Sequence, residues 1–218
     1  MGYRNLVFFI VLAMAFLIPP DEADGAPRPV ILCLGDSLTA GYRVPRSQNF
    51  PSRLQNRLDK LALPLKVVNA GVSGDTTAGA LSRLKWLLSA HPQTRIAIVT
   101  LGANDGMRGL SVTAMEHNLE SIILALKGRD IQVLLGGMKL PPNYGREQTR
   151  AFQAVYPRLA RRHNLPLVPF FLEGVAGEPR LNLDDGIHPT GEGYARVLEN
   201  VWLPLRPLLP TTRTAVTR

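Results

Sequence analysis

A three-layer α/β/α domain on a five-stranded parallel sheet is the fold this sequence predicts, and three observations carry it. Five short apolar runs, most of them followed by glycine or proline, have the length and composition of strands. Segments with apolar residues three or four apart lie between them and read as amphipathic helices. At 218 residues the chain has the size of one domain, and it contains neither an internal repeat nor a domain-sized linker. Strands alternating with helices need right-handed crossovers, which set the strands parallel and put helices on both faces.

The chain begins with an unbroken apolar run over residues 6–18, preceded by Arg4. That is too short for a bilayer span, which needs about 20 residues, but it suits the apolar region of a signal peptide. A leader over residues 1–26, cut after Gly25 or Ala26, is therefore expected, although the acidic pair Asp21-Glu22 is unusual there. The competing reading is a buried N-terminal helix. Export to a periplasm or to the medium follows from the first reading, with no stable membrane span.

The strand runs are 30–34, 66–70, 96–101, 131–135 and 167–170. Helical spacing marks Phe50, Leu54, Leu58 and Leu61, then Met115, Leu119, Ile122 and Leu126. It recurs at Phe152, Tyr156 and Leu159, and at Tyr194, Leu198, Val201 and Leu205. Cys33, the single cysteine, sits inside the first strand and reads as a core thiol. The domain is expected over 27–209, with a polar, flexible tail at 210–218.

A formal net charge of +8 would favour anionic membranes or acidic substrates. The arginines are scattered and no reader motif accompanies them, so nucleic-acid binding is not expected. Neither the G-x-G-x-x-G fingerprint nor a P-loop is present.

Ligands of open α/β sheets bind beyond the carboxyl ends of the strands. Three short motifs fall there: Gly35-Asp36-Ser37-Leu38 after strand one, Asn69-Ala70-Gly71 after strand two and Gly102-Ala103-Asn104-Asp105 after strand three. Ser37 lies in a strand–turn–helix position that can present Oγ; the plainer reading is a helix cap. Asp36 is expected to fix the loop. An aspartate-phosphatase reading fails because Leu38 stands where a second aspartate is needed. Gly71 would leave its N–H open to close approach, and Asn104 would bring a side-chain amide. Each also has a plain turn or loop reading.

Of the four histidines, only His188 lies in a glycine-containing loop with a carboxylate at close spacing, Asp185. Such a carboxylate can accept from Nδ1–H and leave Nε2 facing a serine; Asp184 is the alternative. Together these residues supply a nucleophile, a base with its orienting acid, and donors for an oxyanion from Ser37, Gly71 and Asn104. That set suits acyl transfer to water.

On these blocks the chain resembles the SGNH (GDSL-type) hydrolases, whose Ser, Gly, Asn and His fall on Ser37, Gly71, Asn104 and His188, with Asp185 as the D-x-x-H acid. Within that family it is most similar to the bacterial periplasmic thioesterase I, lysophospholipase and arylesterase group, from about Val30 to Leu209. The resemblance implies a flavodoxin-like fold and hydrolysis of fatty acyl esters or thioesters with no metal or cofactor. It also implies a mobile loop over residues 106–111, for which Gly106 and Gly109 could be hinges. Met107, Leu110, Met138, Leu140 and Tyr144 lean toward an apolar acyl groove, bordered by Asp105 and Gly106. The expected substrate is a small acyl ester or thioester, lysophospholipid among the candidates. The rival functions are a carbohydrate O-deacetylase on the same fold and a non-catalytic binding protein.

Overall fold

The computed structural model describes residues 27–210; the apolar run at 6–18, the expected cleavage site and the tail from 211 lie outside the described residues. Five parallel strands form one sheet: β1 (Val30–Gly35), β2 (Lys66–Gly71), β3 (Thr94–Thr100), β4 (Gln132–Gly136) and β5 (Leu167–Val168), in the order β2-β1-β3-β4-β5. β1 is buried along its whole length and β3 along almost all of it, which explains their unbroken apolar sequence. β2 is an edge strand and keeps a partly exposed face. β5 stops after two residues, because Pro169 has no N–H to continue the ladder.

Helices cover both faces. α2 (Phe50–Lys60) packs with α7 (Gly191–Leu205) on one side, and α3 (Thr77–Ala90), α5 (Val112–Lys127) and α6 (Arg146–His163) line up on the other. All of their starts but that of α6 are set by side-chain caps: Asn49, Thr76, Ser111 and Thr190 each accept from a backbone N–H in the first turn. The apolar stripes read from the sequence are the buried faces of α2, α5, α6 and α7, except that Leu61 follows the end of α2 and is exposed. α3 likewise buries Ala80, Leu84, Leu87 and Leu88 at helical spacing, while Trp86 points to solvent.

From β1 the chain crosses to β2 on one side and returns to β3 on the other. The carboxyl ends of β1 and β3 therefore flank the point where the winding reverses, the place where such sheets open a crevice. Two one-turn helices begin there: α1 (Ser37–Ala40) after β1 and α4 (Ala103–Met107) after β3. Topology alone thus brings Ser37 and Asn104 to the same crevice.

Candidate active site

Ser37 is the first residue of α1, and Asp36 before it is fully buried, with its Oδ1 accepting the Leu38 N–H at 3.0 Å. That bond fixes the turn leaving β1. A helix's first N–H groups have no partner inside the helix, so the Ser37 N–H is free to serve a ligand. Ser37 Oγ lies 2.9 Å from His188 Nε2. On its other side the imidazole Nδ1 lies 2.8 Å from Asp185 Oδ2. With Nδ1–H donating to the carboxylate, Nε2 is the acceptor and the Ser37 hydroxyl donates to it.

The loop bearing His188 is held by its own bonds. Asp185 Oδ1 accepts the backbone N–H groups of Ile187 and His188, each at 2.9 Å. Burial pushes the Asp185 carboxyl up, but these two N–H groups and the imidazole outweigh it and hold it at about 2. Leu183 N–H donates to the His188 carbonyl, and an antiparallel bridge joins Asn182 to Pro189. The Tyr42 ring lies against the imidazole, with centroids 4.5 Å apart.

The donor side differs from the expectation at one residue. Gly71 ends β2 underneath α1, where a Cβ would collide with the backbone of Thr39 and Ala40. Its N–H is already spent on Asn69 Oδ1 at 2.9 Å. Gly71 is therefore a packing glycine, and its assignment as an oxyanion donor is corrected. Gly74, three residues on, has φ +79, which favours glycine, and its N–H has no acceptor among the described residues. Its turn is bound to the Asn104 helix at two points: Asn104 Nδ2 donates to the Asp75 carbonyl at 2.9 Å, and Arg108 donates to the Gly74 carbonyl at 2.8 Å. The second Asn104 amide hydrogen has only a loose contact with Asp36 Oδ2, 3.4 Å, and is available to a ligand. Ser37 N and Gly74 N thus have no acceptor among the described residues, and Asn104 Nδ2 keeps one hydrogen only loosely engaged.

Asp105, expected at the substrate groove, instead faces the interior. Its two oxygens accept from Thr77 N, 2.9 Å, and Thr77 Oγ1, 2.6 Å, so it caps the start of α3. Arg83 bonds Asp75 Oδ2 at 2.8 Å and the Gly35 carbonyl at 3.2 Å, tying the β2 turn to the end of β1. Asp36, sealed among these groups, has its carboxyl pushed up to about 7 by burial, with Asp75 and Asp105 adding to the effect and the Leu38 N–H opposing it. Among the described residues no group of three or more His, Cys, Asp or Glu is arranged to hold a metal ion.

An apolar cavity of about 250 Å³ opens beside Ser37, lined by Leu38, Ala103 and Ile187, the neighbours in sequence of Ser37, Asn104 and His188. Met107, Met138 and Leu140 line it as expected. Gly106, Leu110 and Tyr144 do not. Gly106 is buried in α4, where a Cβ would strike Leu140 and Phe152, so it serves as a helical packing residue. Leu110 is exposed, and Tyr144 stands behind Met107, donating its hydroxyl to the Met107 carbonyl at 3.3 Å. Sequence reasoning missed Phe170, Leu172 and Ala176 on this wall. The available signal was position alone, since they follow β5 at the same edge of the sheet.

Residues 33–196 match the GDSL-like Lipase/Acylhydrolase family. The chain is 42% identical to the esterase TesA of Pseudomonas aeruginosa, covering 94% of this chain and 100% of that one. It is 41% identical to the thioesterase 1/protease 1/lysophospholipase L1 of Escherichia coli K12, over 84% of this chain and 86% of the relative. The crystal structure of AlinE4, an SGNH-hydrolase family esterase, superposes with a TM-score of 0.70 at 41% identity, covering 86% of this chain and all of that one. The chain belongs to the GDSL-like lipase/acylhydrolase family.

Proposed function

We propose that this protein hydrolyses fatty acyl esters and thioesters through an acyl-enzyme on Ser37. The observation that carries the reading is the unbroken line Ser37 Oγ to His188 Nε2 to His188 Nδ1 to Asp185 Oδ2, at 2.9 and 2.8 Å. His188 takes the hydroxyl proton as Oγ attacks the acyl carbonyl, and Asp185 orients the ring and stabilises its cation. The oxyanion is received by Ser37 N, Gly74 N and Asn104 Nδ2. His188 then hands its proton to the leaving alcohol or thiol, and water repeats the sequence on the acyl-enzyme.

The acyl chain occupies the apolar cavity, which begins at Leu38 beside the nucleophile. Its walls are mostly apolar, Met107, Met138, Leu140 and Phe170 among them, with Lys139 the one charged lining residue among the described residues, which suits an alkyl chain better than a sugar. Lysophospholipid is the natural substrate we favour, in keeping with the lysophospholipase name of one relative. The apolar run at 6–18 supports export, and among the described residues no helix is long and apolar enough to cross a membrane.

The test is hydrolysis of p-nitrophenyl esters from acetyl to palmitoyl by the full chain and by Ser37→Ala. Turnover that depends on Ser37 and peaks at medium or long chains is expected. Activity confined to acetyl would replace this reading with an O-deacetylase. Equal activity in two folded proteins would remove Ser37 from the mechanism.

A further inference from the structure

Eight large apolar side chains are exposed among the described residues, and four of them crowd one edge of the sheet. Tyr42 follows β1, Val72 follows β2, Leu110 follows β3 and Ile187 precedes His188. They are between 40% and 47% exposed, so each keeps apolar surface in water. Two contacts join these loops into one surface. Tyr42 packs on the His188 ring, next to Ile187, and Arg108 bonds the Gly74 carbonyl, bridging the loop of Leu110 to that of Val72.

The same edge is divided in charge. The loops after the adjacent strands β1 and β3 carry exposed Arg43, Arg46 and Arg108, and none of the three pairs with a carboxylate among the described residues. The acids of the β2, β1 and β3 loops are withdrawn: Asp36 and Asp105 are buried, and Asp75 is bound to Arg83. The exposed acids bordering this half are Asp184 and Asp185, on the loop that carries Ile187, and Asp185 is bound to His188. Loops after β4 and β5 carry Lys139, Arg146 and Arg180 against Glu147, Glu173, Glu178, Asp184 and Asp185, so no positive excess exists there. Arg43 also holds φ +55, an unusual conformation for a side chain that the fold leaves in solvent.

We propose that the β2–β1–β3 half of this rim is a docking face for an anionic phospholipid surface. Exposed apolar side chains interleaved with unpaired cations are what such a surface binds: the cations meet lipid phosphates while the apolar tips enter the interface. A second copy of the chain would meet its own cations on this half, and a soluble partner would leave the interleaving unexplained. The apolar cavity adjoins this half through Leu38, Ala103 and Met107, its other walls following β4 and β5, so docking here brings a bilayer to the border of the acyl pocket. That last consequence rests on the hydrolase reading; the binding itself rests on the rim.

The test is sedimentation of the full chain with vesicles of phosphatidylcholine, alone or mixed with phosphatidylglycerol, at low and high salt. The 6–18 segment is common to all variants, so the informative quantity is the anionic, salt-sensitive part of the binding. At about 1 kcal/mol per cation, Arg43→Gln with Arg46→Gln should weaken that part roughly 30-fold. Arg95→Gln with Arg129→Gln removes the same charge from the opposite edge of the sheet and should change it little. Equal losses in the two pairs would reduce the effect to net charge and overturn the proposal. So would a chain that ignores phosphatidylglycerol, or one that self-associates through this face without lipid. Turnover of soluble p-nitrophenyl butyrate is expected to be unchanged in both pairs. An inactive wild type that still binds vesicles through Arg43 and Arg46 would sink the hydrolase reading and leave the docking face standing.

Discussion

On the Asn104 side of Ser37 the polar side chains are tied to buried groups, whereas on the His188 side the imidazole is held mainly by bonds within its own loop. Asn104, Asp75, Arg83, Asp105 and Thr77 form a web linking β1, the β2 turn, α3 and α4. His188 is instead fixed by Asp185, three residues away, and by bonds within segment 182–190. The difference follows from the task of each side. Oxyanion donors help most when they cannot relax, so they are built into the core. A base that must accept and release a proton needs only its own ring set, and a local loop can do that.

The comparison breaks most sharply at the reacting groups. Ser37→Ala and His188→Ala should each lower kcat by roughly a millionfold with the fold intact, and the double variant should lose little more, because the pair acts as a unit. Losses that multiply in single-turnover assays would deny the shared proton transfer. Asn104→Ala comes next, at about 10²–10³ in kcat, the usual cost of one oxyanion donor. Because Asn104 also bonds the Asp75 carbonyl, its Tm should fall, while that of His188→Ala should stay near wild type. Equal Tm changes would remove the contrast between an anchored side and a self-contained one.

The two glycines sharpen it further. Gly71→Ala should lower Tm, since its Cβ meets the α1 backbone, which cannot withdraw without moving Ser37. Gly74→Ala meets only the Arg108 guanidinium and the strain of its positive φ, so its loss should fall mainly on kcat. The reverse ranking by thermal melting and kinetics would restore Gly71 as the donor.

The smallest effect is one of pH. Asp36 is raised in the folded chain to about 7 from an ordinary carboxylate value, so the folded state binds more protons than the unfolded state between about pH 4 and 7. Stability associated with this group is present below that window and is lost as pH rises through it. Asp36→Asn can still accept the Leu38 N–H, and it should gain Tm on wild type steadily from pH 4 to 8. A constant difference would mean that Asp36 titrates normally. Asp185 has the opposite sign: its depressed value of about 2 gives stability that is present above pH 4 and lost as pH falls toward 2.

Why some of this was legible and some was not follows from the range of the interactions. Strand runs and helix stripes are local, and so is the Asp185–His188 pair, so all were readable from spacing. The engagement of the Gly71 N–H follows from α1 lying across the end of β2 and from the reach of Asn69, which no local pattern records. Asp105 looks like a site residue beside Asn104, but one residue along a helix is a turn of about 100°, enough to aim it at Thr77 and the core. Phe170 and Leu172 belong to no motif, and only the closing of the sheet brings them to the cavity.

The most direct test of the account is intact-protein and peptide mass spectrometry after brief exposure to an alkyl fluorophosphonate, which traps an activated serine. One equivalent of adduct should form on the peptide containing Ser37, slow sharply in His188→Ala and vanish in Ser37→Ala. An adduct on another residue, or undiminished labelling of Ser37→Ala, would contradict the claim that Ser37 is the nucleophile.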